Sequence, residues 1–330
     1  MSYISVIGAG SWGTTLASLL AKKGFDVVLW ARESEVVDAI NSRRENPIYL
    51  PNYELPEGLF CTSNIIEATK KARFIVSVVP TQFIRAVFMP ICKDLNRDII
   101  IVSASKGIEK GTLKTPSMIL SEILDRNVNV LSGPTFAIEV AQEKPTAVTI
   151  SGPDVRERLL LQEIFSTYYF RVYEHDDPIG AEIGGAIKNV IAIASGICDA
   201  LALGNNARAA LITRGLHEMM RLGKKMGAKE ITFSGLSGLG DLFLTCTSNL
   251  SRNYTVGYRL GKGETINQIS ASMRSVAEGV ETSLSTVELS KKFNIEMPVS
   301  MEVYKVIYEG KSPKEAANDL MNRALKPEFY

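Results

Sequence analysis

The sequence predicts an α/β fold in two parts: a doubly wound, largely parallel sheet over residues 1–180, then an all-α domain over residues 181–330. Three observations predict it. Short β-rich runs alternate with helical patterns through the first half, which is how a parallel sheet covered by crossover helices reads. A glycine turn stands between the first such run and the first helix. Beyond Glu182 the pattern changes to long helical periods with no convincing strand.

In chain order the expected strands are Tyr3–Ile7, Val27–Trp30, Phe74–Val79, Ile99–Ser103, Val128–Leu131, Ala147–Ser151 and Phe170–Tyr173. An Ala/Leu-rich helix, about Trp12 to Lys23, separates the first two and stops at Gly24. The unbroken apolar run Ile99-Ile-Ile-Val102 implies a strand covered on both faces. Asp176-Asp-Pro-Ile179 should join the two domains, with Pro178 opening a long helix. Along that helix Ile183, Ile187, Val190, Ile191, Ala194, Ile197 and Leu201 recur at steps of three and four, the stripe of a buried helix. Lys311 to Tyr330 reads as one short amphipathic helix and a tail.

A chain of 330 residues exceeds the size at which one core stops growing, so two domains are expected. The net charge of +1 and the absence of a basic run argue against nucleic acid as a partner. Cys61, Cys92, Cys198 and Cys246 are widely spaced and form no Cys-x-x-Cys pair, the pattern of reduced thiols in a cytoplasm. No cluster of His, Cys and carboxylates offers a metal site. The sequence opens almost at once on a strand, which predicts no cleaved signal and a cytoplasmic protein. The apolar stretch Val190 to Leu203 is too short to span a bilayer and contains Asp199, so it is expected as a buried helix.

The glycine turn is Gly8-Ala-Gly-Ser-Trp-Gly13, a Gly-x-Gly-x-x-Gly set between strand and helix. In that setting it is the dinucleotide-binding, Rossmann-type unit. Gly8 allows the tight turn, Gly10 lets backbone approach a pyrophosphate, and Gly13 lets helix pack closely on strand. The helix start presents N–H groups and a positive dipole to the phosphates. At the end of the second strand, where an NAD-specific site would carry an acid for the ribose 2′-hydroxyl, stand Ala31 and Arg32. A guanidinium suits a 2′-phosphate, which favours NADP; Glu33 alongside can accept from a hydroxyl and leaves dual use open.

Ligands on such a sheet lie beyond the carboxyl ends of its strands. Lys106 follows one strand, with Gly107 expected to keep its surroundings open, and Ser132-Gly133-Pro134-Thr135 follows another. Lys188 lies inside the most apolar helix. Its side chain should lean back over Gly185 and Gly184, each of which costs about 1 kcal/mol against Ala. Close helix packing and a small-molecule pocket both explain that cost. Apolar surroundings disfavour the charged ammonium, which suits Lys188 to proton transfer, and Asn189 beside it adds a hydrogen-bond donor. His175 and His217 are rivals for that work, but their settings read as structural. If the stretch from Asp241 is helical, Asp241, Thr245, Ser248 and Arg252 share one face, grouping an acid, a hydroxyl and an arginine suited to phosphate.

Taken together, eight segments closely resemble the bacterial form of the NAD(P)-dependent glycerol-3-phosphate dehydrogenase family. They are Gly8-Ala-Gly-Ser-Trp-Gly-Thr-Thr-Leu-Ala17, Trp30-Ala-Arg32, Ser105-Lys-Gly-Ile-Glu109, Leu131-Ser-Gly-Pro-Thr-Phe-Ala137, Gly184-Gly-Ala-Ile-Lys-Asn-Val190, Gly238-Leu-Gly-Asp-Leu242, Ser251-Arg-Asn253 and Val276-Ala-Glu-Gly279. The resemblance implies interconversion of dihydroxyacetone phosphate and sn-glycerol 3-phosphate for glycerophospholipid synthesis, with NADP or NAD. It implies that Lys188 is the proton donor and acceptor with Asp241 oriented toward it. Lys106, Gly133, Thr135, Ser251, Arg252 and Asn253 would contact substrate, Arg252 at the phosphate. Ser11, Trp12, Arg32, Tyr49, Lys106, Ala137, Arg252, Val276 and Glu278 would contact cofactor. The alternatives are a related two-domain hydroxy acid dehydrogenase, which Ser251-Arg-Asn253 argues against, and a non-catalytic NADP-sensing module, which leaves Lys188 and Asp241 without purpose. A homodimer is expected from base rates alone.

Overall fold

The computed structural model describes residues 3–273 and 277–328. The first half alternates strands and helices: β1 (Tyr3–Ile7), α1 (Ser11–Lys22), β2 (Val27–Trp30), α2 (Ser34–Arg43), β3 (Glu45–Asn46), β4 (Leu50–Glu54), β5 (Leu59–Thr62), α3 (Ile65–Thr69), β6 (Ala72–Ser77), α4 (Ile84–Phe88), β7 (Ile100–Ser103), α5 (Pro116–Leu124), β8 (Val128–Ser132), α6 (Ala137–Ala141), β9 (Thr146–Ser151), α7 (Val155–Phe165) and β10 (Phe170–His175). Eight of these strands form one sheet in the order β10-β9-β8-β7-β6-β1-β2-β5, and β3 and β4 pair separately. All neighbours in the large sheet run parallel except β8 and β9, which are antiparallel.

Strand order reverses between β1 and β6, so the crevice beyond their carboxyl ends is the switch point where ligands bind such sheets. The two ends are tied together there: Val78 N donates to Ile7 O at 2.8 Å, and Gly8 N to Trp30 O at 3.1 Å. Both faces of the sheet are covered. Val6, Leu29, Val102 and Leu131 pack with Leu16 and Leu20 of α1 on one side. Ile7, Ile75 and Ile101 pack with Phe88, Ile119 and Leu120 on the other. The run around Ile101 and Val102 thus feeds both cores, as its unbroken hydrophobicity requires.

Sequence reasoning misses β5 and the β3/β4 pair. β5 is a four-residue edge strand with only Cys61 and Thr62 buried, and β3 is two residues long. Neither is long enough to show a period.

From Pro178 the described chain is helical: α8 (Pro178–Ala200), α9 (Gly204–Lys225), α10 (Asp241–Cys246), α11 (Arg252–Gly261), α12 (Ile266–Ser272), α13 (Glu278–Phe293), α14 (Pro298–Tyr308) and α15 (Pro313–Met321). Pro178 sits in the first turn of α8, and Asp177 caps it by accepting from Gly180 N at 2.9 Å. α8 runs 23 residues, longer than Val190 to Leu203 suggests, and among the described residues is the one helix long and apolar enough to cross a membrane. Its apolar window is wholly buried inside the fold. Ile183, Ile187, Val190, Ile191 and Ile193 lie in its core, each stabilising by about 1.5–3 kcal/mol on burial. α11 crosses α8 backbone to backbone, because a Cβ on Gly257 would lie 1.9 Å from Ile193 O and one on Gly196 2.1 Å from Tyr254 O. A side chain at either glycine would force the helices apart.

Candidate active site

The three glycines of the first turn each meet a different demand. Gly8 has φ +116°, and a Cβ there would lie 2.8 Å from Val78 O. A Cβ on Gly13 would lie 1.8 Å from Gly8 O, so α1 rests directly on the turn. A Cβ on Gly10 would meet nothing within 4 Å, which leaves open space in front of α1. No side chain caps that helix, so its first N–H groups face the opening with their partial positive charge.

A buried residue that sequence reasoning missed holds this turn in place. Asn46 is fully buried and donates to Ala9 O at 2.9 Å and to Thr14 Oγ1 at 2.8 Å, while its Oδ1 accepts from Tyr49 N at 3.1 Å. Ser11 donates its hydroxyl to Tyr49 O at 2.5 Å. The segment with β3 and β4 is thereby stitched over the start of α1. The only available signal was an asparagine in a stretch of irregular pattern, which also occurs in any turn.

Across the switch point, Ser105 donates to Val79 O at 2.7 Å and so brings the next residue, Lys106, into the cleft. Lys106 Nζ donates to Gly133 O at 3.1 Å and to Asp241 Oδ2 at 2.6 Å. Lys188 Nζ donates to the other oxygen, Asp241 Oδ1, at 2.5 Å and to Thr245 Oγ1 at 2.8 Å. Thr245 in turn donates to Asp241 O at 2.6 Å. One carboxylate from α10 therefore holds two lysines, one from the sheet and one from α8. Lys188 and Asp241 are both buried. Burial pulls the Lys188 pKa down from its usual 10.5 to about 7; Asp241 opposes the drop and Lys106 adds to it.

Two family models match the chain, one described as the NAD-dependent glycerol-3-phosphate dehydrogenase N-terminus over residues 3–157 and one as its C-terminus over residues 177–318. The chain belongs to the NAD-dependent glycerol-3-phosphate dehydrogenase family. It is 53% identical over 329 residues to the glycerol-3-phosphate dehydrogenase [NAD(P)+] of Geobacter sp. (strain M21), covering 98% of each chain. The counterpart from Carboxydothermus hydrogenoformans is 46% identical over 329 residues, covering 99% of this chain and 98% of the other. The crystal structure of glycerol-3-phosphate dehydrogenase from Coxiella burnetii superposes with a TM-score of 0.94 at 39% identity, covering 98% of this chain and 99% of that one. The chain is thus an NAD(P)-dependent oxidoreductase.

The residues present fit a dinucleotide. The open face at Gly10 and the uncapped start of α1 match a pyrophosphate, and the Tyr49 carbonyl accepts from Ser11, the first residue of that helix. Arg32 is exposed and pairs with Glu33. Trp12 is half-buried and turns toward the core, its ring 6.4 Å from that of Phe170. Ala137 opens α6 and its carbonyl accepts from Thr15 at 3.2 Å, so that turn lies against α1. Val276 lies outside the described residues.

A third group of residues of this dehydrogenase meets at the start of α13. Glu278 accepts from Thr81 N at 3.3 Å. Burial pushes its carboxyl up to about 7, with Thr81 and Arg252 opposing. Asn253 accepts from Gly279 N at 3.0 Å, and Gly279 packs against Asn189 O, where a Cβ would stand 2.7 Å away. Asn189 itself donates to Gly185 O at 3.4 Å. Thr135 donates to Gly133 O at 3.2 Å. Ser251 caps α11 by accepting from Tyr254 N at 3.2 Å, which leaves Arg252 as that helix's first residue, exposed in the cleft.

Two expectations need correction, and one open choice narrows. Gly107 does not open the space beside Lys106: it has φ +150°, and a Cβ would lie 2.6 Å from Thr81 Oγ1 and 2.7 Å from Glu278 Oε2. Of the two readings left open for Gly184 and Gly185 beneath Lys188, their surroundings favour close packing. A Cβ on Gly184 would lie 2.3 Å from Ser237 O, and one on Gly185 3.2 Å from Ser132 Oγ and 3.4 Å from the Lys106 side chain. The first packs the chain, and the second admits the other lysine. Finally, Asp241 to Arg252 is not one helix. α10 ends at Cys246, Ser248 accepts from Leu250 N in the connection, and Ser251 starts α11. Only Asp241 and Thr245 share a helical face.

Proposed function

We propose that this dehydrogenase interconverts dihydroxyacetone phosphate and sn-glycerol 3-phosphate in the cytoplasm, with Lys188 as proton donor in reduction and acceptor in oxidation, and that the product serves glycerophospholipid synthesis. The observation that carries the reading is the pair of lysines on one carboxylate. Burial brings Lys188 close to neutrality, where a group gives and takes a proton with equal ease. Asp241 and Thr245 hold its Nζ in one place, so the proton is delivered from a fixed point.

Protonated, Lys106 and Lys188 outnumber the single carboxylate between them. The cluster then favours the negative charge that develops on the C2 oxygen as a ketone is reduced, most strongly where water is excluded. Arg252, whose guanidinium lies in the field of Glu278, suits the substrate phosphate. When bound, the nicotinamide supplies the hydride in reduction and takes it up in oxidation. The four cysteines are free thiols, which supports a reducing compartment.

The test is to follow NADPH and NADH absorbance with the purified protein and dihydroxyacetone phosphate, with unphosphorylated dihydroxyacetone as control. Loss of absorbance with the phosphorylated ketone alone is the expected result. Oxidation of neither cofactor by that ketone would overturn the reading.

A further inference from the structure

Lys188 and Asp241 reach their buried ion pair on separate elements, one on α8 and the other at the start of α10. A second buried carboxylate lies at the root of both. Asp177 Oδ1 accepts from Gly180 N at 2.9 Å and so fixes the first turn of α8, with Lys188 about two turns further along the same helix. Its Oδ2 accepts from Lys229 N at 2.8 Å and from the Thr232 hydroxyl at 2.5 Å, on the segment that leads to Asp241. Thr232 has one proton and gives it to Asp177, so His175 Nε2 is the donor to the Thr232 oxygen at 2.8 Å. His175 ends β10, and the sheet, α8 and the approach to α10 are thereby joined at one point.

Both paths away from this point are tightly packed. A Cβ on Gly180 would lie 2.2 Å from Asp177 Oδ2 and 2.9 Å from Thr232 Cγ2. Beyond Thr232, Phe233 is fully buried, and a Cβ on Gly238 would lie 2.3 Å from Phe233 O. Leu236–Gly240 forms a single π turn, closed by Gly240 N on Gly235 O at 3.1 Å. Ser237 O of that turn lies against Gly184 of α8, and Asp241 follows directly. Contacts this close transmit a displacement and do not absorb it.

We propose that Asp177 is a positioning residue for proton transfer: by holding the start of α8 and the 229–232 segment on one carboxylate, it sets the separation of Lys188 Nζ from the Asp241 carboxylate. The proposal rests on the reading of Lys188 as proton donor.

The experiment compares wild type, Asp177→Asn, Thr232→Val and Thr232→Ser. It measures kcat across pH with dihydroxyacetone phosphate, the NADPH dissociation constant by nicotinamide fluorescence, and the urea midpoint. Asp177→Asn leaves one acceptor oxygen where three donors converge, and Thr232→Val removes one of those donors. Both should lower kcat by about ten- to a hundredfold, as a displacement of about 1 Å between reacting groups does, with NADPH binding unchanged. The pH midpoint of ketone reduction should also move down. Asp241, Lys106 and the Cys246 thiol are the titratable groups around Lys188, and a Lys188 drawn away from Asp241 keeps its burial but loses the attraction that supports its charge. Thr232→Ser retains the hydroxyl and should restore both kcat and midpoint. If Asp177→Asn does not fold, the two Thr232 variants decide. Folded variants with wild-type kcat and midpoint, or a lower kcat with an unmoved midpoint, would overturn the proposal. A Lys188→Ala enzyme with wild-type turnover would instead overturn the proton-donor reading beneath it.

Discussion

Lys188 and Arg32 are each paired to a carboxylate within 3 Å, yet the two pairs behave as opposites. Lys188 is 6% exposed and Asp241 not at all, so their contact is made once, on folding, and the protein's own polar groups replace water around it. Arg32 stands in solvent, where its attraction to Glu33 is screened and easily replaced. On the proposed reading, the same ionic pairing serves proton transfer in one place and cofactor selection in the other. A buried pair shifts pKa and fixes position; an exposed pair offers two alternative partners to whatever arrives.

The largest effect tests the buried side. Lys188→Ala should lower kcat by about 10³-fold, within the range for loss of a general acid, while NADPH still binds, because the glycine turn shares no contact with Lys188. A variant with near wild-type kcat would remove Lys188 from the reaction. The wild-type pH profile sharpens the same point. With a Lys188 pKa near 7, ketone reduction should fall as pH rises through about 7, and alcohol oxidation should rise through it. Parallel profiles in the two directions would contradict a single proton shuttle.

Asp241→Asn comes next. It leaves two lysines facing each other without their shared carboxylate, and breaking a buried pair by removing one partner costs about 3–5 kcal/mol. The sign with pH follows from linkage. The folded Lys188 pKa is already below its unfolded value of 10.5 and falls further without Asp241. The unfolded state then binds more protons across that window, so stability rises with pH. Urea midpoints should show the variant far weaker than wild type at pH 6 and closer to it at pH 9. A loss independent of pH would mean that Asp241 acts by packing and not by charge.

How far these regions were legible in the sequence follows the same division. The glycine turn reads locally, because Gly8, Gly10 and Gly13 each answer a backbone demand made within a few residues. Lys188 was visible as a charge in an apolar helix, and Asp241 with Thr245 by helical spacing. That Lys106 and Lys188 share Asp241 was not visible, since the bonded groups lie 135 and 53 residues apart. For the same reason the glycines beneath Lys188 left packing and pocket both open. A helix glycine shows that something approaches closely, but only the fold shows that it is Ser237 at Gly184 and Ser132 with Lys106 at Gly185. Asn46 was missed because its partners Ala9 and Thr14 are in another element.

Asn46→Ala probes the support behind the nucleotide corner. It strips the Tyr49 amide of its partner and leaves the buried Ala9 carbonyl with Thr14 Oγ1 alone, at about 1–3 kcal/mol for a group left unsatisfied. The turn should loosen, weakening NADPH and NADH alike by about thirtyfold in equilibrium binding. A selective loss of one cofactor would show that the segment reads the nucleotide and does not merely hold the turn.

Arg32→Ala should give the smallest change and the most discriminating one. Its guanidinium is solvent-exposed, so deleting it costs little stability and should leave the urea midpoint unmoved. An exposed charge-assisted contact to phosphate contributes on the order of 1–1.5 kcal/mol, so NADPH should weaken by about tenfold. NADH should stay within about twofold, because Glu33, freed from its partner, still accepts from a hydroxyl. Equal losses for both cofactors would return Arg32 to the ordinary solvated surface and would leave the exposed pair with no selective role to contrast with the buried one.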